Sequence, residues 1–135
     1  MQSTEIERLT AYLSRLFNSP DMVVLQHPEE EDQALVVVGR EFFARIDRDD
    51  DEGELSYSLC KEIPDAPHEE LDEAIKTMFN SKGVELRKRP TKKDSAEVYK
   101  GDEFLGVLYD DDEEAEGMQI FNMAILDIDL EPEAD

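Results

Sequence analysis

Cysteine occurs once in this chain and histidine twice, and 14 basic residues stand against 36 acidic ones. Each scarcity removes a class of explanation. A lone Cys60 closes no internal disulfide, which points to a reducing cytoplasm. No apolar run approaches the length that spans a bilayer, so no membrane is expected. The opening "MQSTEIERLTAYL" carries early acidic residues and no apolar stretch, unlike a secretory leader. There is no phosphate-binding glycine loop, no nucleophile elbow and no zinc spacing. With neither histidine given an implied partner, the expectation is a protein that is not an enzyme and has no cofactor. The net charge of −22 repels nucleic acid and anionic membranes. A chain so charged can be disordered, but its apolar residues fall at regular helix and strand spacings.

What is present is a repeat. Residues 17–20 read "FNSP" and residues 79–82 read "FNSK". At the same offset of 62, Leu9 meets Leu71, Leu13 meets Ile75, Gly39 meets Gly101, Phe42 meets Phe104 and Ile46 meets Leu108. Beyond an acidic turn the offset becomes 64, and Tyr57 meets Phe121 while Cys60 meets Ala124. The second copy thus has two extra residues in a turn, where insertions are tolerated.

Each copy opens with an amphipathic helix. Ile6, Leu9, Leu13, Leu16 and Phe17 form one stripe, and Leu71, Ile75, Met78 and Phe79 form the other. Thr4 with Glu7 reads as a capping box, and Asp65 with Pro67 as the second helix start. Asn-Ser after Phe ends each helix, with Pro20 or Gly83 preventing continuation. Four strand candidates follow in each: 22–27, 34–38, 42–47 and 55–60, then 84–89, 96–100, 104–109 and 118–128. Short connections imply antiparallel meanders. The expected fold is α+β, a tandem duplication of an α-β-β-β-β module with one helix on one sheet face. The expected domains are 1–65 and 66–130, with 131–135 a disordered acidic tail.

The two copies differ in side chains more than in pattern. Val23, Leu25, Leu35 and Val37 in the first occupy the positions of Glu85, Arg87, Glu97 and Tyr99 in the second. The first copy is therefore apolar on both strand faces, and such a sheet is covered on both. The cover is the other copy, a second chain in a homodimer, or a different protein. A second contrast lies in the hairpin "RKRPTKK", where Arg87, Lys88, Arg89, Lys92 and Lys93 cluster around Pro90. Its counterpart is "LQHPEEE", so the charge has flipped. The surrounding negative field and the lack of an aromatic platform argue for a protein contact over nucleic acid. The acidic runs "DRDDDEGE" and "DDDEEAEG" fail the EF-hand pattern: from Asp47, position six is Glu52 and position twelve is Ser58. They read as solvated turns. Cys60, aligned with an alanine, reads as a small packed residue.

"DSAEVY", "GDEFLGVLY" and the ending "MAILDIDL", all within 92–130, resemble a small alphaproteobacterial family, the domain of unknown function numbered 3126. The likeness extends back through the second helix to cover 68–130. The first half looks like a diverged member, with "DQALVV" and "KEIPD" at the corresponding places. The resemblance implies a small α+β domain in a bacterial cytoplasm and carries no activity. The functional expectation is a protein-binding accessory or adaptor, with Val23, Leu25, Leu35 and Val37 as apolar contact and the basic hairpin as a second contact. The alternative is an acidic nucleic-acid mimic that occupies the site of a DNA- or RNA-binding protein.

Overall fold

The computed structural model of the chain describes residues 1–50, 54–89, 92–110, 117–126 and 130, at 89, 92–94 and 110 through the backbone alone. Its elements are α1 (Ser3–Leu16), β1 (Met22–Gln26), β2 (Gln33–Val38), β3 (Glu41–Asp49), β4 (Ser56–Pro64), α2 (His68–Phe79), β5 (Val84–Arg89), β6 (Lys92–Lys100), β7 (Glu103–Asp110) and β8 (Met118–Leu126). The fold is α+β. Hydrogen-bonded neighbours run in the order β1-β2-β3-β4 and, likewise, β5-β6-β7-β8. By internal contacts the chain divides into two compact units, 1–59 with 124–135, and 60–123.

In the first unit the stripe of α1 buries Leu9, Leu13 and Phe17 completely. Against it lie Met22 and Val24 of β1, Ala34 and Val36 of β2, and Ala44 and Ile46 of β3, all buried. These are alternate residues, as one covered sheet face requires. The helix begins one residue before Thr4, and the carboxylate that closes its first turn is Glu5, which accepts the Gln2 N–H at 2.9 Å. The Thr4–Glu7 reading is thereby corrected: the capping box lies two residues earlier, at Gln2 and Glu5. Strand pairing is antiparallel, with Val23 opposite Val37 and Leu25 opposite Leu35. The β2–β3 register shifts between Val36 and Val37, so Val36 faces Ala44 but Val37 faces Phe42. Phe43 is the extra residue of this bulge. It turns to the helix side, edge-on to Phe17 with centroids 5.3 Å apart.

The second unit repeats these devices with other side chains. Leu71, Ile75, Met78 and Phe79 of α2 are buried with Val84, Leu86, Val98, Leu108, Phe121 and Met123. Phe79 meets Phe121 edge-on at 5.8 Å. The β6–β7 register shifts between Val98 and Tyr99, so Leu105 takes the bulge position and is buried, while Phe104 is left 50% exposed. Asp65 does not cap α2: Pro67 precedes its first turn, and the Asp65 carboxylate accepts from Gln119 Nε2 at 2.7 Å. The largest extensions beyond the expected strands are in β4, which reaches Pro64, and β6, which begins at Lys92. Lys92 and Lys93 thus stand in a strand rather than in the hairpin turn. Residues 127–129 of the ending "MAILDIDL" and the tail 131–135 lie outside the described residues.

The repeated Phe-Asn-Ser has a backbone reason. Asn18 and Asn80 both adopt φ of 51°, the left-handed region that terminates helices. The next residue then reaches back, Ser19 N–H to the Ser14 carbonyl at 2.8 Å and Ser81 N–H to the Lys76 carbonyl at 3.0 Å. Asparagine tolerates this conformation better than other residues with a Cβ. The edge strands are also tied to the helices by equivalent bonds. Thr10 Oγ1 accepts the Val24 N–H at 3.0 Å, and Asp72 Oδ1 accepts the Leu86 N–H at 2.9 Å.

Two substitutions test these local arguments by urea denaturation of the whole chain. Asn80→Gly should leave the midpoint unchanged or raise it, whereas Asn80→Val should cost about 1–2 kcal/mol. Gly106→Ala should cost about 1–3 kcal/mol, because its new Cβ would lie 2.5 Å from the Asn122 carbonyl oxygen.

Candidate functional site

Alternation on β1 to β3 decides what the first unit presents. The even-numbered residues of β1 and β2 go under α1, so Val23, Leu25, Leu35 and Val37 point to the other face. Val23 is 41% and Leu25 49% exposed, and Leu35 and Val37 are half-buried between their neighbours. The bulge adds Phe42, which lands beside Val37 and is 65% exposed. Two cross-strand rows result, Val23–Val37–Phe42 and Leu25–Leu35–Arg45. Phe42 is absent from the sequence-derived set because strict alternation in β3 sends it inward with Ala44. The paired aromatics "FF" after a tight turn are the one signal for a bulge here.

The equivalent rows of the second unit are built differently. Glu85 lies opposite Tyr99, which lies opposite Phe104, and Arg87 lies opposite Glu97. The Arg87 guanidinium sits over the Tyr99 ring, 4.1 Å from its centroid. Its Nε donates to Glu85 at 2.7 Å and its Nη2 to the Gly101 carbonyl at 2.9 Å. Tyr99 and Phe104 meet edge-on at 5.7 Å. An aromatic pair therefore does accompany the basic strand, contrary to the sequence reading, but Arg87 already stacks on it. Arg87 and Lys88 are successive residues of β5 and so lie on opposite faces, which divides the basic hairpin. The side chains of Arg89, Lys92 and Lys93 lie outside the described residues.

A second feature of the first unit is an open cleft of about 660 Å³ between the start of α1 and the β1–β2 hairpin. Glu5 is among its lining residues. It accepts from Tyr57 Oη at 2.6 Å and from Arg48 Nε at 2.8 Å, besides the Gln2 N–H. Burial acts to raise the Glu5 pKa, but these three donors outweigh it and hold the carboxyl below its ordinary 4.5. Arg48 also reaches Asp50 at 3.1 Å. Its pKa is raised, chiefly by the bond to Glu5. His27 borders the cleft, yet its Nδ1 accepts the N–H groups of Glu29 and Glu30, each at 3.0 Å. That nitrogen organises the hairpin turn, so it is occupied as an acceptor. His68 is the first residue of α2 and does not line this cleft. In the second unit Asp72 is lowered: burial opposes this, but Lys76 at 2.5 Å and the Leu86 N–H prevail.

Cys60 is half-buried and accepts from Asn122 Nδ2 at 3.1 Å, so it lies among polar neighbours rather than in the packed core. Residues 51–53 and 111–116 of the acidic runs lie outside the described residues. Among the described residues no group of three or more His, Cys, Asp or Glu is placed to hold a metal ion. Among them, too, no helix is long and apolar enough to cross a membrane.

The model of a family described as a protein of unknown function (DUF3126) matches the chain twice, over residues 5–65 and 68–129. No curated protein and no solved structure matches the chain.

The Glu5 cluster gives a pH dependence of stability. A carboxyl whose folded pKa is depressed contributes stability above its unfolded pKa, and loses it as pH falls through the folded value. Denaturation of wild type and Glu5→Gln between about pH 7 and 3 should show wild type the more stable at neutrality. The difference should shrink below about pH 4.5. Taking the difference removes the general relief of charge repulsion that acid brings to both.

Proposed function

The chain belongs to a family of proteins of unknown function (DUF3126), matched by both of its halves, and from that premise we propose that it is a non-enzymatic protein-binding accessory or adaptor. In this reading the chain is a tandem duplication of an α-β-β-β-β module working in a bacterial cytoplasm. The single observation behind it is the apolar outer face of β1 to β3. Val23, Leu25 and Phe42 are each more than 40% exposed, on a chain whose net charge of −22 keeps its surface polar. The second unit, with the same backbone devices, fills equivalent positions with Glu85, Arg87 and Glu97. Charge in place of Val23, Leu25 and Leu35 is therefore compatible with the strands, while Val37 and Phe42 have aromatic counterparts in Tyr99 and the half-exposed Phe104. Contiguous exposed apolar residues of this kind mark interaction surfaces. Fully burying a side chain such as leucine or phenylalanine is worth about 1.5–3 kcal/mol, so the exposed parts leave roughly 1 kcal/mol each for a partner.

The test is affinity capture from native cytoplasm with tagged wild type, Leu25→Glu and Phe42→Glu. A stoichiometric partner should be held by wild type at high salt and lost from both variants, while their unfolding free energies in urea change by less than about 1 kcal/mol. Equal capture by all three proteins, or unfolding of both variants, would count against the reading.

A further inference from the structure

Two properties of the outer face, its edge and its border, narrow what can lie on it. The edge comes first. β1 pairs with β2 alone in the strand order, so its outward backbone groups are where an added strand would bond. Two of those N–H groups are already used. Val24 donates to Thr10 Oγ1 at 3.0 Å, and Met22 donates to the Ser19 carbonyl at 3.2 Å. A strand added at β1 would have to break the ties that seat α1. An occupant therefore lies across the face rather than beside it. The opposite face of the same strands shows what suits such a surface, since α1 covers it with a stripe of Leu9, Leu13 and Phe17.

The border sets the charge. Beyond the Leu25–Leu35 row, the hairpin tip carries Glu29, Glu30, Glu31 and Asp32, all exposed. Asp32 lies 3.7 Å from Arg48 and the Met1 ammonium donates to the Glu31 backbone carbonyl, but among the described residues no carboxylate of Glu29, Glu30 or Glu31 pairs with a cation. The cation on the face itself, Arg45, is held by Asp47 at 3.2 Å. At the other end, Asp21 and Glu41 flank Arg40, the exposed second residue of the β2–β3 turn. Acidic groups are thus in excess around the apolar rows, within a chain of net charge −22. A second copy docking through the same face would bring the same acidic excess and be repelled. We infer that the outer face of β1 to β3 receives an amphipathic helix from a basic partner, its apolar stripe on Val23, Leu25, Val37 and Phe42 and its lysines or arginines toward Glu29, Glu30 and Glu31 of the tip. This rests on the protein-binding reading above and adds the partner's chemistry to it.

Fluorescence anisotropy of the full chain with three labelled synthetic helices tests the inference. One has a leucine stripe with lysines on its polar face. The second has the same stripe with glutamates. The third keeps the lysines and replaces the leucines by serines. The leucine–lysine helix should bind at least tenfold more tightly than either other. Leu25→Ser and Phe42→Ser should each weaken it several-fold, as should joint replacement of Glu29, Glu30 and Glu31 by Gln. The substituted side chains are exposed, and circular dichroism confirms which variants are folded; the hairpin-tip variant changes no strand residue. Equal binding of the glutamate helix, lost in Leu25→Ser, would keep the face as a docking surface and overturn the basic partner. Equal binding of the serine–lysine helix would show charge attraction without the face, and would also overturn the inference. Face variants that alter no helix would remove the docking surface and the protein-binding reading together. Concentration-dependent dimerisation in sedimentation, abolished by Phe42→Ser, would assign the face to a second copy instead.

Discussion

One amphipathic helix can bury one face of a small sheet and no more. That constraint governs each unit of this protein. The alternating residues under α1 and α2 make the core, and whatever alternates with them must come to terms with water or with something else. The second unit comes to terms with water by interleaving Glu85, Arg87 and Glu97 and by laying Arg87 over Tyr99. The first unit does not. Its positions matching those charged residues are valine and leucine, set beside a bulge phenylalanine, Phe42, that the second unit repeats as Phe104. The same backbone thus carries one apolar surface and one that mixes charges with aromatics, and the difference between them is confined to side chains that the fold leaves free to vary.

The seat of each helix is held by more than apolar packing. A side chain one turn into the stripe, Thr10 in α1 and Asp72 in α2, accepts an N–H of the edge strand. The position is shared but the chemistry is not. A hydroxyl suffices in the first unit. In the second, the carboxylate is charged and partly buried, and Lys76 one turn along offsets it. Buried acceptors need their donors, and an edge strand needs its donors satisfied. One bond answers both needs, fixes the crossing of helix over strand, and denies the edge to incoming chains.

Much of this fold is legible in the sequence, because long periodic segments leave strong signals. The stripes of both helices, all eight strands and the Phe-Asn-Ser stops follow from spacing and turn chemistry. What escapes is what depends on a single extra residue or a choice between neighbours. The alternation of β3 cannot show that Phe43 steps out of register, so Phe42 looks like core. Thr4–Glu7 and Gln2–Glu5 are competing frames for one helix start, and packing of Tyr57 and Arg48 on Glu5 selects between them. Cys60 aligns with Ala124, which suggests a snug site. Yet both belong to the alternation that faces away from the helices, where Cys60 has Asn122 for company. The apolar set Val23, Leu25, Leu35 and Val37 was visible as a set. Its exposure was not, since a doubly apolar strand reads the same whether it is buried or waiting for a partner.

The left-handed asparagines have a further consequence, for the chemical ageing of the chain. Asn-Ser bonds deamidate when the serine nitrogen attacks the asparagine side chain to form a cyclic imide. Here both serine nitrogens are already donors, Ser19 to Ser14 and Ser81 to Lys76. Attack must wait until the helix end opens, a local event with its own free energy. The slow appearance of aspartate at positions 18 and 80 would therefore act as a clock for the fraying of each helix, running independently in the two halves of one chain.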